Sequence, residues 1–420
     1  MTIKTQTSCA DDYDPESLSV EEALHTIKAN STTIEGFQQL ALKDALDRIL
    51  AEDLVSSINV PGHDNSAMDG YAIRFNDLGS NDNTSFKVID TALAGHPAEK
   101  SIGHRESIRI MTGAVMPEGS DTVVMQEHVL KDGDTITIAN NQHREAQNVR
   151  RAGEDIAAGD TILKRGRKLN AADIGLAASL GIAQLKVYRR LKVCFFSTGD
   201  ELRPVGSTLA EGEIYDSNRY TLYTMLKRLN VEVTDLGIVG DQPEALKAAF
   251  ETASLEHDVI ITSGGVSVGE ADYSKSVFEA VGEINFWKIA MKPGRPLAFG
   301  TIGDKLYFGL PGNPVSVMTT FYIFVQPALK KMAGENEQMP LEIKATALND
   351  LRKRPGRTEF QRGILSIADN GDLHVSSTGA QGSGILSSVS KANCFIVLAE
   401  DTSKVSAGDT VTVIPFVGLV

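Results

Sequence analysis

The 420-residue chain has only three cysteines, Cys9, Cys194 and Cys394. They lie far apart and none belongs to a C-x-x-C, which excludes a disulfide framework and a cysteine zinc site. Cys194 and Cys394 sit inside the apolar runs VCFF and NCFIVL, where a free thiol packs as a small buried hydrophobe. The sequence also lacks any run of about 18 apolar residues, so no membrane helix is expected. Its N-terminus, MTIKTQTSCADDYDPESLSV, is polar and acidic and has no signal-peptide core. A soluble cytoplasmic protein is expected, with residues 1–15 a disordered tail. Basic residues are in deficit: 41 Lys and Arg face 55 Asp and Glu, for a net charge of -14. That balance argues against a nucleic-acid binder and against a basic membrane-surface protein. It leaves room for an anionic ligand where local groups or a metal invert the field. The eight histidines show no metal-ligand spacing, and no Ser-His-Asp or Cys-His arrangement stands out. Each histidine is read as structural or solvated.

With 42% apolar and 23% charged residues, the composition is that of a globular protein. The length suggests about three domains at roughly 150 residues each. Ser17 is expected to cap a helix over 18–29, with Val20, Ala23, Leu24 and Ile27 as its stripe. Thr33 starts a second, and Leu42, Ala45, Leu46 and Ile49 continue a helical run ending near Ala51. Residues 16–63 and 149–189 read as a segmented N-terminal or linker domain. In the second segment Asn170 is an N-cap for AADIGLAASL, and Gly181 is its stop. Residues 64–148 read as an inserted β domain. Its short strands are Phe86–Ile89, Ser107–Met111, Asp121–Met125 and Thr135–Ile138, with an Asp-Gly turn in KDGDTITI. Over 190–332, buried apolar runs alternate with helices, one of them opened by Pro243. This is the pattern of a doubly wound, mostly parallel sheet. The Pro340 region marks a boundary, and 337–420 return to β texture, a small sandwich or barrel. The fold class is thus multidomain α/β.

In doubly wound sheets ligands sit outside the carboxyl ends of the strands. Three loops fall there. SGGVSVGEADY (263–273) offers Gly264, Gly265, Ser267 and Gly269 for close backbone approach to an anion. It is neither a Walker A loop nor G-x-G-x-x-G. Beside that cradle stand Glu270 and Asp272. Carboxylates next to phosphate repel it unless a cation intervenes, which points to Mg²⁺. The plain alternative is an acidic helix N-terminus. STGDEL places Ser197, Asp200 and Glu201 after a strand, either to reach a metal or polar ligand edge or simply to start a helix. Asp241, in IVGDQP, ends another strand or caps the helix at Pro243. In GLPGNPVS, Pro311 and Pro314 stiffen the loop. There Asn313 and Ser316 stand at a helix N-terminus. MKPGRP presents Lys292 and Arg295 to an anionic substrate or to solvent. Elsewhere Asp64 and Asp69 in DNSAMDGYAIR, Thr112 in MTGAVMP, and Glu154 and Asp155 in GEDI read, taken singly, as turn chemistry.

Taken together, DNSAMDGYA, RIMTGAVMPEG, GEDI, FSTGDEL, IYDSNR, SGGVSVGEADY, KPGRP, GLPGNPVS and EFQRG closely resemble the molybdopterin molybdenumtransferase family, the bacterial counterpart of the gephyrin E domain. The motifs run in order from about residue 18 to the C-terminus. The resemblance implies the last step of molybdenum cofactor synthesis. In that step adenylylated molybdopterin reacts with molybdate, and AMP leaves. It implies Mg²⁺ dependence and an elongated homodimer whose cleft joins the α/β domain of one subunit to the inserted β domain of the other. It carries catalytic importance to Asp69, Thr112, Asp155, Glu201, Asp241 and Asp272, and importance to Pro311 and Pro314. Asp272, Glu201 and Asp69 would hold Mg²⁺. Lys292, Arg295, Ser316, Arg357 and Ser383 would hold molybdate. Arg295 stands where a lysine is frequent in this motif, which alters the hydrogen-bond geometry while keeping the charge. Molybdopterin adenylyltransferase and downstream molybdoenzymes are candidate partners. Two alternatives are an adenylyltransferase, against which the flanking domains argue, and a non-catalytic scaffold like the receptor-clustering gephyrin relatives.

Overall fold

The computed structural model describes residues 17–79, 83–265 and 273–417. The expected disordered tail, 1–15, lies outside them, as do Ser267, Gly269, Glu270 and Asp272 of the glycine-rich loop. The chain divides into two compact units. One is residues 1–38, 47–51 and 187–420; the other is 39–46 and 52–186.

The larger unit is built on a six-stranded sheet. Its strands, in spatial order, are Glu232–Val239, Lys192–Thr198, Val259–Ser263, Lys305–Leu310, Pro296–Ile302 and Glu283–Lys288. The first four are parallel. Pro296–Ile302 runs antiparallel to them, and the edge strand Glu283–Lys288 runs antiparallel to it in turn. The interior strand Lys192–Thr198 shows why this sequence makes such a sheet. Val193 and Phe195 face one core, Cys194 and Phe196 the other, and all are 0% exposed. A strand covered on both faces reads as an unbroken apolar run.

Helices supply the two covers. Ser217–Arg228 buries Leu222, Met225 and Leu226, at helical spacing, against one face. Pro243–Glu256 buries Leu246, Phe250 and Ala253 against the other. There Phe278 stacks on Tyr307 at 4.2 Å between centroids, with Phe250 edge-on to both. The helical segment from Pro314 to Met332 contains a π-helical stretch, Phe321–Val325, just ahead of Pro327. Proline has no N–H to give, and a wider turn before it relieves the clash of its ring with the preceding turn.

The same unit ends in five strands: Thr358–Ile367, Leu373–Ser377, Ile343–Ala347, Thr410–Pro415 and Cys394–Leu398. The first pairs with the last, which closes them into a barrel. A short helix, Leu386–Lys391, interrupts the β texture there. The smaller unit holds a second six-stranded sheet, formed by Thr122–Met125, Gly70–Ile73, Glu106–Ile110, Asn83–Ala92, Thr135–Ala139 and Val129–Asp132. The four expected strands are all in it, with Gly70–Ile73 and Val129–Asp132 in addition.

Two local expectations need correction. The first helix is Val20–Asn30, and Ser19 rather than Ser17 caps it, in a capping box with Glu22. No helix spans 33–51. Phe37–Ala41 is a strand paired with Gln184–Tyr188, followed by a 3-10 turn, Leu42–Asp44. The Leu42 N–H donates to the Ala183 carbonyl and the Tyr188 N–H to that of Ile49. Partners more than a hundred residues away outcompete the local helical spacing. Asn170 and Gly181 do as expected. Asn170 forms a capping box with Asp173, and Gly181, at φ +72, follows the helix Ala171–Ser179.

Candidate functional site

A cleft of about 1270 Å³ opens in the larger unit. Its wall is made by the loops that follow the parallel strands, together with two loops of the C-terminal barrel segment. Thr198, Gly199 and Glu201 come from the first loop, Asp241 from the second, Ser263, Gly264 and Gly265 from the third, and Pro311 to Pro314 from the fourth. Lys292 to Pro296, Arg354, Arg357 and Gln381 to Gly384 complete it. Of the expected site residues, Glu201, Asp241, Gly264, Gly265, Lys292, Arg295, Pro311, Asn313, Pro314, Ser316, Arg357 and Ser383 all line this one cleft. Segments more than 180 residues apart in sequence thus converge, as expected at the carboxyl ends of a doubly wound sheet.

Backbone geometry shapes the floor. Gly264 has φ +91, and a Cβ there would stand 2.2 Å from the Thr198 carbonyl oxygen. Only glycine lets these two neighbouring strand ends approach so closely. Gly294 in KPGRP is similar, at φ +103 with Thr320 pressed against it.

The charges divide by element. The strand-end loops and the helix start after them bring three carboxylates, Glu201, Asp216 and Asp241. Asp241 accepts a hydrogen bond from the Thr198 hydroxyl. It does not cap the following helix, whose N-cap is Gln242 without a side-chain bond. Nor does STGDEL start a helix: a turn there leads into the short strand Leu202–Arg203. Four cations line the rest, Lys292, Arg295, Arg354 and Arg357. Lys292 is half exposed and pairs with the buried carboxylate of Glu359 at 3.1 Å. Arg295 is 7% exposed, so neither cation is simply solvated surface.

Ser197 departs from expectation. It is fully buried in its strand and does not line the cleft. Its neighbour Thr198 does.

Several residues in the cleft wall, or just behind it, are not apparent from the sequence. Asp216 and Asn218, in IYDSNR, are buried in its wall. Arg362, in EFQRG, is 1% exposed, and burial pushes its guanidinium down to about 10. It donates to the Gly382 carbonyl at 3.1 Å and to Ser388 Oγ at 3.1 Å, and its N–H donates to Gln381 Oε1 at 2.8 Å. It thereby fixes the Gln381–Gly384 edge of the cleft. The available signal was a guanidinium on an otherwise inward-facing strand position. Lys353 works in the same way on the loop carrying Arg354 and Arg357, through its own bonds to backbone carbonyls.

Asp69, Thr112 and Asp155 belong to the smaller unit. There the Thr112 N–H and hydroxyl both donate to Asp69 Oδ1, each at 2.7 Å. These two bonds, the amide's first, hold the Asp69 carboxyl below the usual range. Asp155 is exposed, and no hydrogen bond joins it to that pair. Asp64 is structural: it accepts from the Ala152 N–H at 2.8 Å and from Arg151 at 2.6 Å. Among the described residues, no three His, Cys, Asp or Glu side chains are grouped closely enough to hold a metal ion. No helix among them is long and apolar enough to cross a membrane.

Comparison with known proteins agrees with this architecture. Three family models match in order. They are the MoeA N-terminal region (domain I and II) over residues 18–181, the "Probable molybdopterin binding domain" over 194–331, and the MoeA C-terminal region (domain IV) over 344–416. The molybdopterin molybdenumtransferase of Haemophilus influenzae is 48% identical over 381 residues, covering 90% of this chain and 94% of its own. That of Staphylococcus aureus is 36% identical, covering 94% and 95%. A crystal structure of the molybdopterin biosynthesis moeA protein from Pyrococcus horikoshii OT3 superposes with a TM-score of 0.83. It is 29% identical and covers 95% of this chain and all of its own. A second Pyrococcus structure of that protein gives 0.81 at 32% identity, covering 95% and 99%. With described residues of the larger unit's motifs lining one cleft and relatives matching along nearly the whole length, the chain belongs to the molybdopterin molybdenumtransferase family.

Proposed function

We propose that this chain acts on adenylylated molybdopterin in the cleft of its larger unit and releases AMP as molybdenum is inserted, with Mg²⁺ as its ion. Molybdenum insertion itself, the final step of the cofactor's synthesis, follows from membership of the family. The observation that carries the finer reading is the make-up of one cleft: strand-end carboxylates and glycines meet four cations there.

The chemistry of the donors fits a magnesium ion. Glu201 and Asp241 line the cleft, and Mg²⁺ prefers one or two carboxylates plus substrate phosphates and waters over an all-protein cage. Glu201 would be its ligand here, with Asp241 beside it; Asp69 and Asp272 are the further candidates from the motif resemblance. When bound, the ion supplies charge neutralisation at the phosphoanhydride. The chain's own groups do the remaining work. The backbone at Gly264 and Gly265 approaches the phosphates closely. Pro311 and Pro314 hold the LPGNP loop rigid, so that Asn313 and Ser316 are in place before the substrate arrives. Lys292, Arg295, Arg357 and Ser383 give molybdate a cationic, hydrogen-bonding seat, preset by Glu359 and Lys353. The chain works as a homodimer and hands its product to downstream molybdoenzymes, after receiving substrate from the adenylyltransferase.

The test is AMP release from adenylylated molybdopterin, with and without molybdate and Mg²⁺. Release that requires both, and is lost in Glu201→Ala with circular dichroism unchanged, is the expected result. Undiminished release in that variant, or release indifferent to molybdate, would sink the proposal. Light scattering of the full chain checks the dimer.

A further inference from the structure

Two buried side chains in the cleft wall carry an acceptor that no donor among the described residues satisfies. Asp216 caps the helix Ser217–Arg228, and its Oδ1 accepts from the Arg219 N–H at 3.0 Å. Its Oδ2 is buried and meets no donor among the described residues. Two residues on, the Asn218 amide nitrogen donates to Ser263 Oγ at 2.9 Å and to the Gly312 carbonyl at 2.7 Å. A carbonyl can only accept, so the contact with Gly312 fixes which way round the amide lies. Asn218 Oδ1 is then the atom left over, also buried and with no donor among the described residues. Asp216 is 2% exposed and Asn218 9%, and both line the cleft.

Buried acceptors are nearly always paired, and an exception calls for an explanation. A helix N-terminus usually draws an anion, yet here the protein's own carboxylate already stands there. With one charged and one neutral acceptor left over, what this corner lacks is hydrogen-bond donors. A bound anion would meet repulsion from Asp216. The complementary ligand group is a pair of adjacent N–H donors, which a carboxylate and its neighbour bind in parallel. Of the parts of molybdopterin, the phosphate and dithiolene are anionic, whereas the pterin ring presents such an edge: its exocyclic amino group beside a ring N–H.

We propose that Asp216 and Asn218 read the amino-pyrimidinone edge of the pterin, and so orient the substrate with its dithiolene away from this corner. The inference rests on the reading that the cleft takes molybdopterin. It makes Asp216 and Asn218 specificity-determining residues.

The test uses the full chain and two fluorescent probes, pterin-6-carboxylate and lumazine-6-carboxylate. They differ in that the second carries an oxo acceptor where the first has the amino donor. The wild-type chain should bind the pterin at least tenfold more tightly. Asp216→Asn keeps the oxygen that caps Arg219 but turns the second position into a donor. It should abolish or invert the preference while leaving Tm unchanged. Should that variant fail to fold, Asp216→Ser, which can still cap the helix, replaces it with the same expected loss. Equal binding of the two probes by the wild type, or an undiminished preference in the variants, would overturn the assignment. So would a Mg²⁺-dependent rise in Tm that Asp216→Asn removes without any pterin preference, because the corner would then be a cation site. AMP release separates the two readings. A wild type that releases AMP but shows no probe preference refutes this inference alone. A wild type that prefers the pterin but releases no AMP refutes only the proposed reaction.

Discussion

Replacing Lys353 by methionine should loosen the arginine loop of the cleft. Lys353 is 8% exposed, and its ammonium donates to the carbonyls of Arg357 at 2.9 Å, Glu400 at 3.0 Å and Arg354 at 3.4 Å. Desolvation pushes its pKa below the usual lysine range, so burying the charge offsets part of what these bonds contribute. Hydrogen bonds to a charged group stabilise by about 1.5–3 kcal/mol each. Two of good length therefore give roughly 3–6 kcal/mol before that offset, and a net loss of ~2–4 kcal/mol is expected. Methionine matches the length of the stem and fills its space, so the loss reports the ammonium rather than a cavity. Urea unfolding measures the global part. Amide hydrogen exchange over 353–357 measures the local part, which should accelerate about thirtyfold or more. Because Arg354 and Arg357 line the cleft, molybdate affinity should weaken severalfold with them. Unchanged exchange in this loop, at unchanged molybdate affinity, would show that the three carbonyls do not depend on Lys353 and would refute the reasoning.

Other perturbations test other parts. Thr112→Val removes one of the two donors to Asp69. A carboxylate held low by donors stays ionised to lower pH, so losing one raises its pKa. The acid limb of the pH–rate profile should move upward, with little change in stability at this exposed pair; an unmoved limb would remove Asp69 from the reaction. Gly264→Ala forces a Cβ to within 2.2 Å of the Thr198 oxygen at φ +91. It should cost at least ~3 kcal/mol in thermal unfolding, and a smaller loss would mean that the strand ends can part. Burial pushes the thiols of Cys194 and Cys394 up to about 12 and about 11. Neither should react with DTNB in the native protein at pH 8, and both should react in urea; mass spectrometry of the labelled peptides decides.

What the sequence by itself determined was mainly what is local. The capping box at Asn170, the proline that opens the helix at Pro243, and apolar runs long enough to be buried on both faces are set by neighbours a few residues apart. Loop composition likewise pointed to an anion beside carboxylates, and the order of the motifs to the family. Spacing failed at 33–51. Leu42 and Ile49 there bond to Ala183 and Tyr188, more than a hundred residues downstream, and local periodicity carries no information about such partners. Only the tertiary structure decided how the site is composed. It showed Ser197 packed into the core and Thr198 in the cleft, Asp241 bonded to Thr198 rather than capping a helix, and Arg362 fully buried behind the Gln381–Gly384 edge. The meaning of Asp216 and Asn218 was least legible of all. Asp-Ser-Asn at a helix start reads as an ordinary cap. Its two unsatisfied acceptors exist only because Ser263, Gly312 and the cleft wall close around them, and whether a polar group is satisfied depends on what surrounds it in three dimensions.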